Sequence, residues 1–552
     1  MPKPVVTDMH RRPKPVVLVI IDGWGVSPSW GGNAISANNP PTFQYLWKYY
    51  PHAILQAFRV VADTTGVVGS SEIGHASIGS GRLVKQDLTE LNLAIGSGQF
   101  FQNPGLRDAF QRVRADGGVV HLTGLLSDGG IHGDDRHALA LAEFAKREGI
   151  EKVWLHPILD GIDVDTTSGL RYLERLETGL GQLGVGTVAT VMGRYYGMDK
   201  GGYWDRTERA YRAMVMGEGN RARSSTEALT QAYQAGLDDE HLVPTVVSDG
   251  GSGGQTATAK RYVAGRVQPG DLLIHWNFRA DRARQLVRAF ADPRALRRLF
   301  LRHFPLCGAR VVTMTDYHLD LPLVQVAFPA AAIENTLAHL LANHGYSQLH
   351  VAESEKYAHV TYFFNGGREE PYPNEDRLIL PSPRAESYQT VPAMNAGGIT
   401  RALEQAIRKR SHDFIVANFA NVDMVAHTGN LIATGEAVLV VDEALRRIAN
   451  AVIDVGGVLF ITADHGNAES VVTLERGDRE TLHTLNPVPF LYVAADAKKD
   501  ERLAGHPIRA NLLGQIVQSK HTLADVAPTV LEIFGVPKPS DMTGSSLFPN
   551  LE

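Results

Sequence analysis

Seven side chains at the ends of apolar runs carry the chemistry open to this sequence. Asp423 and His427, in NVDMVAHTGN, are four residues apart, so on a helix they share one face, one turn apart, as a chelating pair requires. Taken alone, such a pair is more often a capping or surface pair than a metal site. VLFITADHGNAES delivers Asp464 and His465 as neighbours at the end of an apolar strand, with Gly466 after them for a tight turn. A carboxylate and an imidazole there bind a divalent cation, or stabilise the turn by a hydrogen bond to each other. His483, in TLHTLNPVPF, stands just before another apolar run, where a lone histidine is ordinarily solvated. LVIIDGWG ends the first apolar run on Asp22, and Ser71 enters a helical pattern in VVGSSEIGHASIGSG. A serine there is ordinarily an N-cap. The alternative is a nucleophile helped by a metal and by the field of the helix N-terminus, a role for which Ser70 competes.

No fragment decides the matter singly. Together they supply three aspartates, three histidines and a serine at strand or helix ends. That is what two divalent ions a few ångströms apart require.

The elements that must position these groups are short β-rich runs alternating with helical patterns, which predicts an α/β fold with mainly parallel sheets. In the first part and the last third the runs are VVLVII (16–21), FIVANF (414–419), VLFIT (458–462) and VPFLYVA (488–494). In the middle they are VVHLTGLL (119–126), VWLHPILD (153–160), VGTVATVM (185–192) and LLIHWNF (272–278). Polar residues follow the C-terminal ends of both sets, the edge at which open α/β sheets bind ligands. Two sheets therefore offer two half-sites able to face one another.

The chain has 552 residues, too many for one ordinary core. Apolar residues make up 44% and charged residues 21%, the balance of a soluble globular protein. A net charge of −6 argues against a nucleic-acid partner. Cys307 is the single cysteine, which excludes an internal disulfide framework and a thiolate zinc cluster and fits a reducing cytoplasm. The basic, Pro-rich start reads as a loose tail over residues 1–15. No apolar stretch approaches the ~20 residues of a membrane helix. GGSGGQTATAK lacks the lysine–hydroxyl pair of a phosphate-binding P-loop, and GGSGG (250–254) reads as a flexible loop.

Nine motifs occur in order: IDGWG, SSEIGHASIGSGR, LLSDGGIHGD, MGRYYGMD, NFRADRARQL, SEKYAHVTYFFNGG, NFANVDMVAHTGN, TADHGNAE and HTLNPVPF. In these the chain, from about Val16 to Gly535, resembles the cofactor-independent phosphoglycerate mutases of the alkaline phosphatase superfamily. The resemblance implies an alkaline-phosphatase-like domain with a central, mainly parallel sheet, built from residues 16–85 and 330–552. A second α/β domain, residues 86–329, is inserted into it to bind substrate. One metal would be held by Asp423, His427 and His483, the other by Asp22, Ser71, Asp464 and His465. Manganese is the implied ion, compatible with oxygen and imidazole donors, and no bisphosphoglycerate is required. Ser71 would take the phosphoryl group from phosphoglycerate and return it to the other hydroxyl of the same glycerate.

On the inserted domain the resemblance implies substrate-holding roles for His132, Asp163, Arg194, Lys200, Arg279 and Arg282. Lys356, in SEKYAH, would approach the phosphoryl group, and Asp163 would act as acid or base on the acceptor hydroxyls. Arg279 and Arg282 are expected three apart at a helix start, where both can face one anion; a solvated basic face is the plain alternative. His132, Asp134, Asp135 and His137 form a weaker rival metal cluster. The implied protein is a cytoplasmic monomer acting on a small molecule, with no membrane partner. Two departures fall on the substrate side. Ile162 stands in Asp160-Gly161-Ile162-Asp163 where the family has arginine, and Lys200 replaces another arginine, giving charge without a bidentate fork. Three other readings stay open: a paralogue acting on a related phosphorylated or phosphonylated hydroxy acid, which the Ile162 change motivates; a metal-dependent phosphatase, if the inserted domain closes poorly and water reaches phospho-Ser71; and a non-enzymatic metal- or ligand-binding protein. Retention of every expected ligand argues against the last.

Overall fold

The structure, a computed structural model, describes residues 12–57, 69–84, 87–247, 265–292, 309–317, 319, 321–329, 333–473, 477–499 and 512–551. The first eleven residues of the expected tail, the GGSGG segment and Cys307 lie outside the described residues. Two compact units divide the rest: one takes the described residues up to 84 and from 333 onward, the other those from 87 to 329.

Strands in chain order are β1 (Val16–Ile21), β2 (His52–Leu55), β3 (Val120–Leu125), β4 (Val153–Leu159), β5 (Thr187–Val188), β6 (Thr190–Gly193), β7 (Asn220–Ala222) and β8 (Thr245–Val247). Then come β9 (Leu272–His275), β10 (Arg310–Thr313), β11 (Val324–Val326), β12 (Gln348–Glu353), β13 (Glu375–Leu380), β14 (Phe414–Phe419), β15 (Val458–Thr462) and β16 (Val488–Ala494).

The first unit is built on a seven-stranded sheet in the order β13-β12-β14-β1-β15-β16-β2. An unbroken apolar run suits a strand covered on both faces, and all six residues of β1 are fully buried. β1 runs parallel to both neighbours, with Val16 opposite Phe414 on one side and Val458 on the other. β16 is antiparallel to β15, Thr462 facing Phe490. Residues preceding β16 therefore arrive at the same sheet edge as residues following β1, β12, β14 and β15. The core gathers Leu18, Phe414, Phe460 and Phe490 with Val438, Leu445 and Ile448 of the helix Leu431–Asp454.

The second unit carries a sheet in the order β11-β10-β9-β3-β4-β6-β8-β7, with β5 beside β4. Its pairs are parallel except β6–β8. The expected strand 185–192 is two short ones, β5 and β6, separated by Ala189. Alternation of side chains across the pleat feeds two cores. Leu122 and Ile274 join Phe100, Phe110 and Phe144, while Leu125 and Leu273 join Tyr211 and Phe290. No helix among the described residues is long and apolar enough to cross a membrane.

This second unit also buries histidines. Burial pushes the imidazoles of His132 and His275 down to about 3 and that of His137 to about 4. Each folded value lies below the ordinary ~6.5, so between that pH and the folded value the rings are neutral when folded and take up a proton on unfolding. Their contribution to stability is complete above about pH 6.5 and is lost as pH falls toward 4 for His137 and toward 3 for His132 and His275, with a limiting slope of ~1.4 kcal/mol per pH unit for each ring. Calorimetry between pH 7.5 and 5 is expected to show the second unit's transition moving to lower temperature, and a smaller movement in His275→Gln. A transition temperature constant over that range would contradict the assignment.

Candidate metal centre and anion site

The helix Ser71–Ser80 is almost wholly buried although it contains Gly74 and Gly79, residues that weaken a helix. Close approach explains them. A Cβ at Gly74 would lie 2.6 Å from the Asp464 carbonyl oxygen, and one at Gly79 2.1 Å from that of Phe364. Ser70 occupies the N-cap position without a capping hydrogen bond. Ser71 is the first helical residue, and its hydroxyl turns inward instead. Ser71 Oγ lies 3.1 Å from Asp22 Oδ1, 2.7 Å from His465 Nε2 and 2.7 Å from Lys356 Nζ. Lys356, at the end of a short 3₁₀ turn after β12, also donates to Asp22 Oδ1 and Asp423 Oδ2, each at 2.8 Å. Burial works against its charge, but Asp22 and Asp423 outweigh burial and hold the ammonium pKa well above the ordinary lysine value.

Asp423 lies in the helix Asn421–Ala426 after β14, and His427 is the residue that caps it. His427 donates Nδ1–H to the Thr481 carbonyl at 2.7 Å, and His483 donates Nδ1–H to that of Gly69 at 2.6 Å. Each ring then turns Nε2 toward the other, 2.9 Å apart, and although burial lowers the His427 pKa, Asp423 holds it above the ordinary value. Two lone pairs at that distance repel unless a proton or a cation lies between them. Asp423 Oδ1 completes the set, 3.3 Å from His427 Nε2 and 3.2 Å from His483 Nε2. Burial pushes the Asp423 carboxyl up, but Lys356, His427 and His483 overcome it and keep the group ionised. Nitrogen, nitrogen and oxygen converging on one point is the donor set of a divalent first-row ion.

Asp22, Asp464 and His465 make a second convergent group, fully buried. His465 Nε2 is 3.4 Å from Asp22 Oδ1 and 3.5 Å from Asp464 Oδ2. Asp464 Oδ1 takes the N–H of His465 at 3.0 Å, whereas Oδ2 is buried and takes no hydrogen bond, lying 3.1 Å from His75 Nδ1. The His75 proton goes to the Ser71 carbonyl at 2.8 Å, which leaves Asp464 Oδ2 available as a ligand. Gly466 has no positive φ, so the expected tight turn is not its reason. A Cβ there would lie 2.2 Å from Glu469 Oε1.

In the second unit, Arg194 bridges two carboxylates, 2.5 Å from Asp160 Oδ1 and 2.7 Å from Asp163 Oδ2. Burial and then Asp160 raise the Asp163 carboxyl, with Arg194 and Arg282 opposing. His132 Nδ1 is 3.5 Å from Asp281 Oδ1, and Lys200 Nζ 3.6 Å from Asp281 Oδ2. Arg279 Nε is 3.4 Å from the same Asp281. Buried His132 Nδ1 and Arg194 Nε make no hydrogen bond within the protein, a deficit that the acceptor oxygens of an anion would fill. Arg279 and Arg282 are not on a helix. The N–H groups of Phe278 and Arg279 bond to the His132 carbonyl, and the helix begins only at Arg284. The rival cluster does not converge: Asp134 pairs with Arg136, Asp135 with Arg175, and His137 Nε2 with the Asn92 amide. Ile162 is 52% exposed. Asp160 and Asp281, both inside quoted motifs, were not singled out by spacing. Nor was His75, which one helical turn after Ser71 could have flagged.

A family model described as BPG-independent PGAM N-terminus matches residues 91–319. Proteins named 2,3-bisphosphoglycerate-independent phosphoglycerate mutase from Moorella thermoacetica and Thermomicrobium roseum are each 44% identical, covering 97% of this chain and 98% of theirs. The one from Clostridium perfringens is 41% identical over 97% of this chain and 99% of its own. A crystal structure of Leishmania mexicana phosphoglycerate mutase at low cobalt concentration superposes with a TM-score of 0.69 at 28% identity, covering 98% of both chains.

If the two convergent groups bind cations, each ion stabilises the unit that holds it. At 100-fold excess over its dissociation constant the gain is ~2.7 kcal/mol per ion. Calorimetry with Mn2+ against a chelator is expected to show a rise in transition temperature, and His483→Ala to lose the share of one ion. Equal stabilisation of wild type and His483→Ala would contradict ligation by His483.

Proposed function

The chain belongs to the 2,3-bisphosphoglycerate-independent phosphoglycerate mutases, which are isomerases, and from that premise we propose that it interconverts 3- and 2-phosphoglycerate through a phosphorylated Ser71. The observation that carries this reading is the setting of Ser71 Oγ, at a helix N-terminus and within hydrogen-bonding distance of Lys356, Asp22 and His465.

Lys356 donates to Ser71 Oγ and offsets the charge that grows there as the proton leaves toward Asp22 Oδ1. The Ser71 O–P bond forms as the substrate's O–P bond breaks, and the free N–H groups of the helix N-terminus suit the phosphoryl oxygens. Asp423, His427 and His483 would hold one divalent ion; Asp22, Ser71, Asp464 and His465 would hold the other. Manganese fits these donors, and a relative's crystals at low cobalt concentration support a divalent first-row ion. Such ions supply a lowered serine pKa and neutralise phosphoryl charge. His132, Arg194, Lys200, Arg279 and Arg282 are assigned to the glycerate and its carboxylate. Asp163, whose raised pKa suits proton transfer, moves protons off and onto the glycerate hydroxyls. The second transfer reverses the first: the other hydroxyl attacks phosphorus and Ser71 leaves. A mutase differs from a phosphatase in keeping water from the phosphoserine, and the burial of Asp22, Ser71, Asp464 and His465 suits that.

Ser71→Ala is expected to lower kcat by ~10³-fold or more with the transition temperature kept, and Ser70→Ala to stay active. The assays are a coupled mutase assay from 3-phosphoglycerate and a parallel phosphate-release assay. An inactive Ser70→Ala beside an active Ser71→Ala would move the nucleophile, and phosphate release outpacing isomerisation would make the protein a phosphatase.

Ile162 supports a paralogous substrate only weakly, because more than half of it is exposed. The two cations that could stand in for an arginine there are engaged: Arg171 donates to the Tyr172 hydroxyl at 2.6 Å, and Lys200 faces Asp281. A solvated arginine at 162 would contribute ~0.2–1 kcal/mol. Ile162→Arg should therefore raise kcat/KM on phosphoglycerate by no more than about 1.4- to 5-fold in steady-state kinetics at saturating Mn2+. A fall instead would mean that the site has been rebuilt around isoleucine.

A further inference from the structure

Glu469 is a buried carboxylate to which none of these roles gives work. Its oxygens are fully used. Oε2 accepts the N–H groups of Gly25 at 3.0 Å and Asn467 at 2.9 Å. Oε1 accepts Asn486 Nδ2 at 2.9 Å and the hydroxyl of Thr484. These donors come from three segments: the one leaving β1, the one leaving β15 and the one entering β16. Two glycines make room for the carboxylate, since a Cβ would lie 2.1 Å from its Cδ at Gly25 and 2.2 Å from its Oε1 at Gly466.

Two of these donors lead to metal-ligand candidates. Thr484 adjoins His483 and also bonds through its N–H to the Gly466 carbonyl at 2.9 Å. Asn467, oriented by Glu469 through its backbone, donates Nδ2 to Asp423 Oδ1 at 2.8 Å. Asp464 is held differently, by the N–H groups of His465 and Gly23 and by proximity to His75. Asp22 is held by Asn418 Nδ2 at 2.8 Å. Neither of those supports passes through Glu469. His465 Nδ1 donates at 3.2 Å to the Gly466 carbonyl, which is held by the backbone N–H of Thr484 and not by the Glu469 side chain.

We infer that Glu469 is a positioning residue for one ion of the pair, the one assigned to Asp423, His427 and His483, because it sets the His483 loop and the Asn467–Asp423 hydrogen bond together. This deepens the two-ion reading and rests on it. Side chains that orient metal ligands from behind typically change affinity 10–100-fold when altered, and the change should be confined to that ion.

Confinement to one ion separates this role from general packing. Mn2+ affinity is measured by chelator competition in the full chain, in Asp464→Asn and Asp423→Asn backgrounds that each spare one group. Adding Glu469→Gln is expected to weaken binding ~10–100-fold in the Asp464→Asn background and to leave it unchanged in the Asp423→Asn background. Thr484→Val, which cuts the link beside His483 even if a carboxamide preserves the others, should act in the same direction. No weakening by either variant in the Asp464→Asn background overturns the inference. Equal weakening in both backgrounds with a lowered transition temperature does so too, as a packing effect. A wild-type protein that binds fewer than two Mn2+ ions fails the two-ion reading itself.

Discussion

Three buried carboxylates, Asp22, Asp423 and Asp464, share their surroundings with one ammonium, that of Lys356. Unpaired charge in a protein interior is so costly that such groups are paired or coordinate metals. Lys356 answers part of the excess by touching Asp22 and Asp423 at once. The remainder falls to whatever the two convergent groups hold, and the Nε2 atoms of His427 and His483, 2.9 Å apart beside Asp423, leave the same opening. Much of the first unit exists to keep this excess of negative charge in place. Asn418 on Asp22 and Asn467 on Asp423 are uncharged supports.

The scaffold meets the constraint through backbone more than through side chains. Parallel strands send Asp22, Lys356, Asp423, Asp464 and His465 out of one sheet edge. The reversal of β16 lets His483 reach that edge from the opposite chain direction. Close contact then depends on missing side chains: a Cβ at Gly23 would fall 2.9 Å from the Asp423 Cα, and one at Gly74 against Asp464. A helix with two glycines is poor locally, yet no other residue lets Ser71 and Asp464 come so near.

The sequence made some of this legible and hid the rest for physical reasons. Long apolar runs such as VVLVII became β1 and its neighbours because a strand buried on both faces carries an unbroken signal. The run at 185–192 did not, since two strands of two and four residues leave too little pattern to separate. Asp423, His427 and His483 were findable from strand-end position, and the structure brings them together, as it does Asp22, Asp464 and His465. Arg279 and Arg282 were misplaced onto a helix because the hydrogen bonds that delay it come from His132, far away in sequence. Gly466 looked like a turn residue because its true neighbour, Glu469, could be known only in three dimensions. Exposure is likewise invisible in a one-dimensional pattern, so Ile162 looked weightier than its solvated position allows.

β1 lies between β14 and β15, with Val16 opposite Phe414 and Val458. During synthesis, then, its six apolar residues leave the ribosome about 400 residues before either partner, a wait of ~20–80 s at ~5–20 residues per second. Through that interval β1 is a sticky, unpaired ribbon, while everything the second unit needs to close its own sheet is already made. The order of assembly is thereby inverted: strands made early are sealed late, β1 when β14 and β15 emerge and β2 only with β16, and whatever shields nascent chains from aggregation must cover both for most of synthesis.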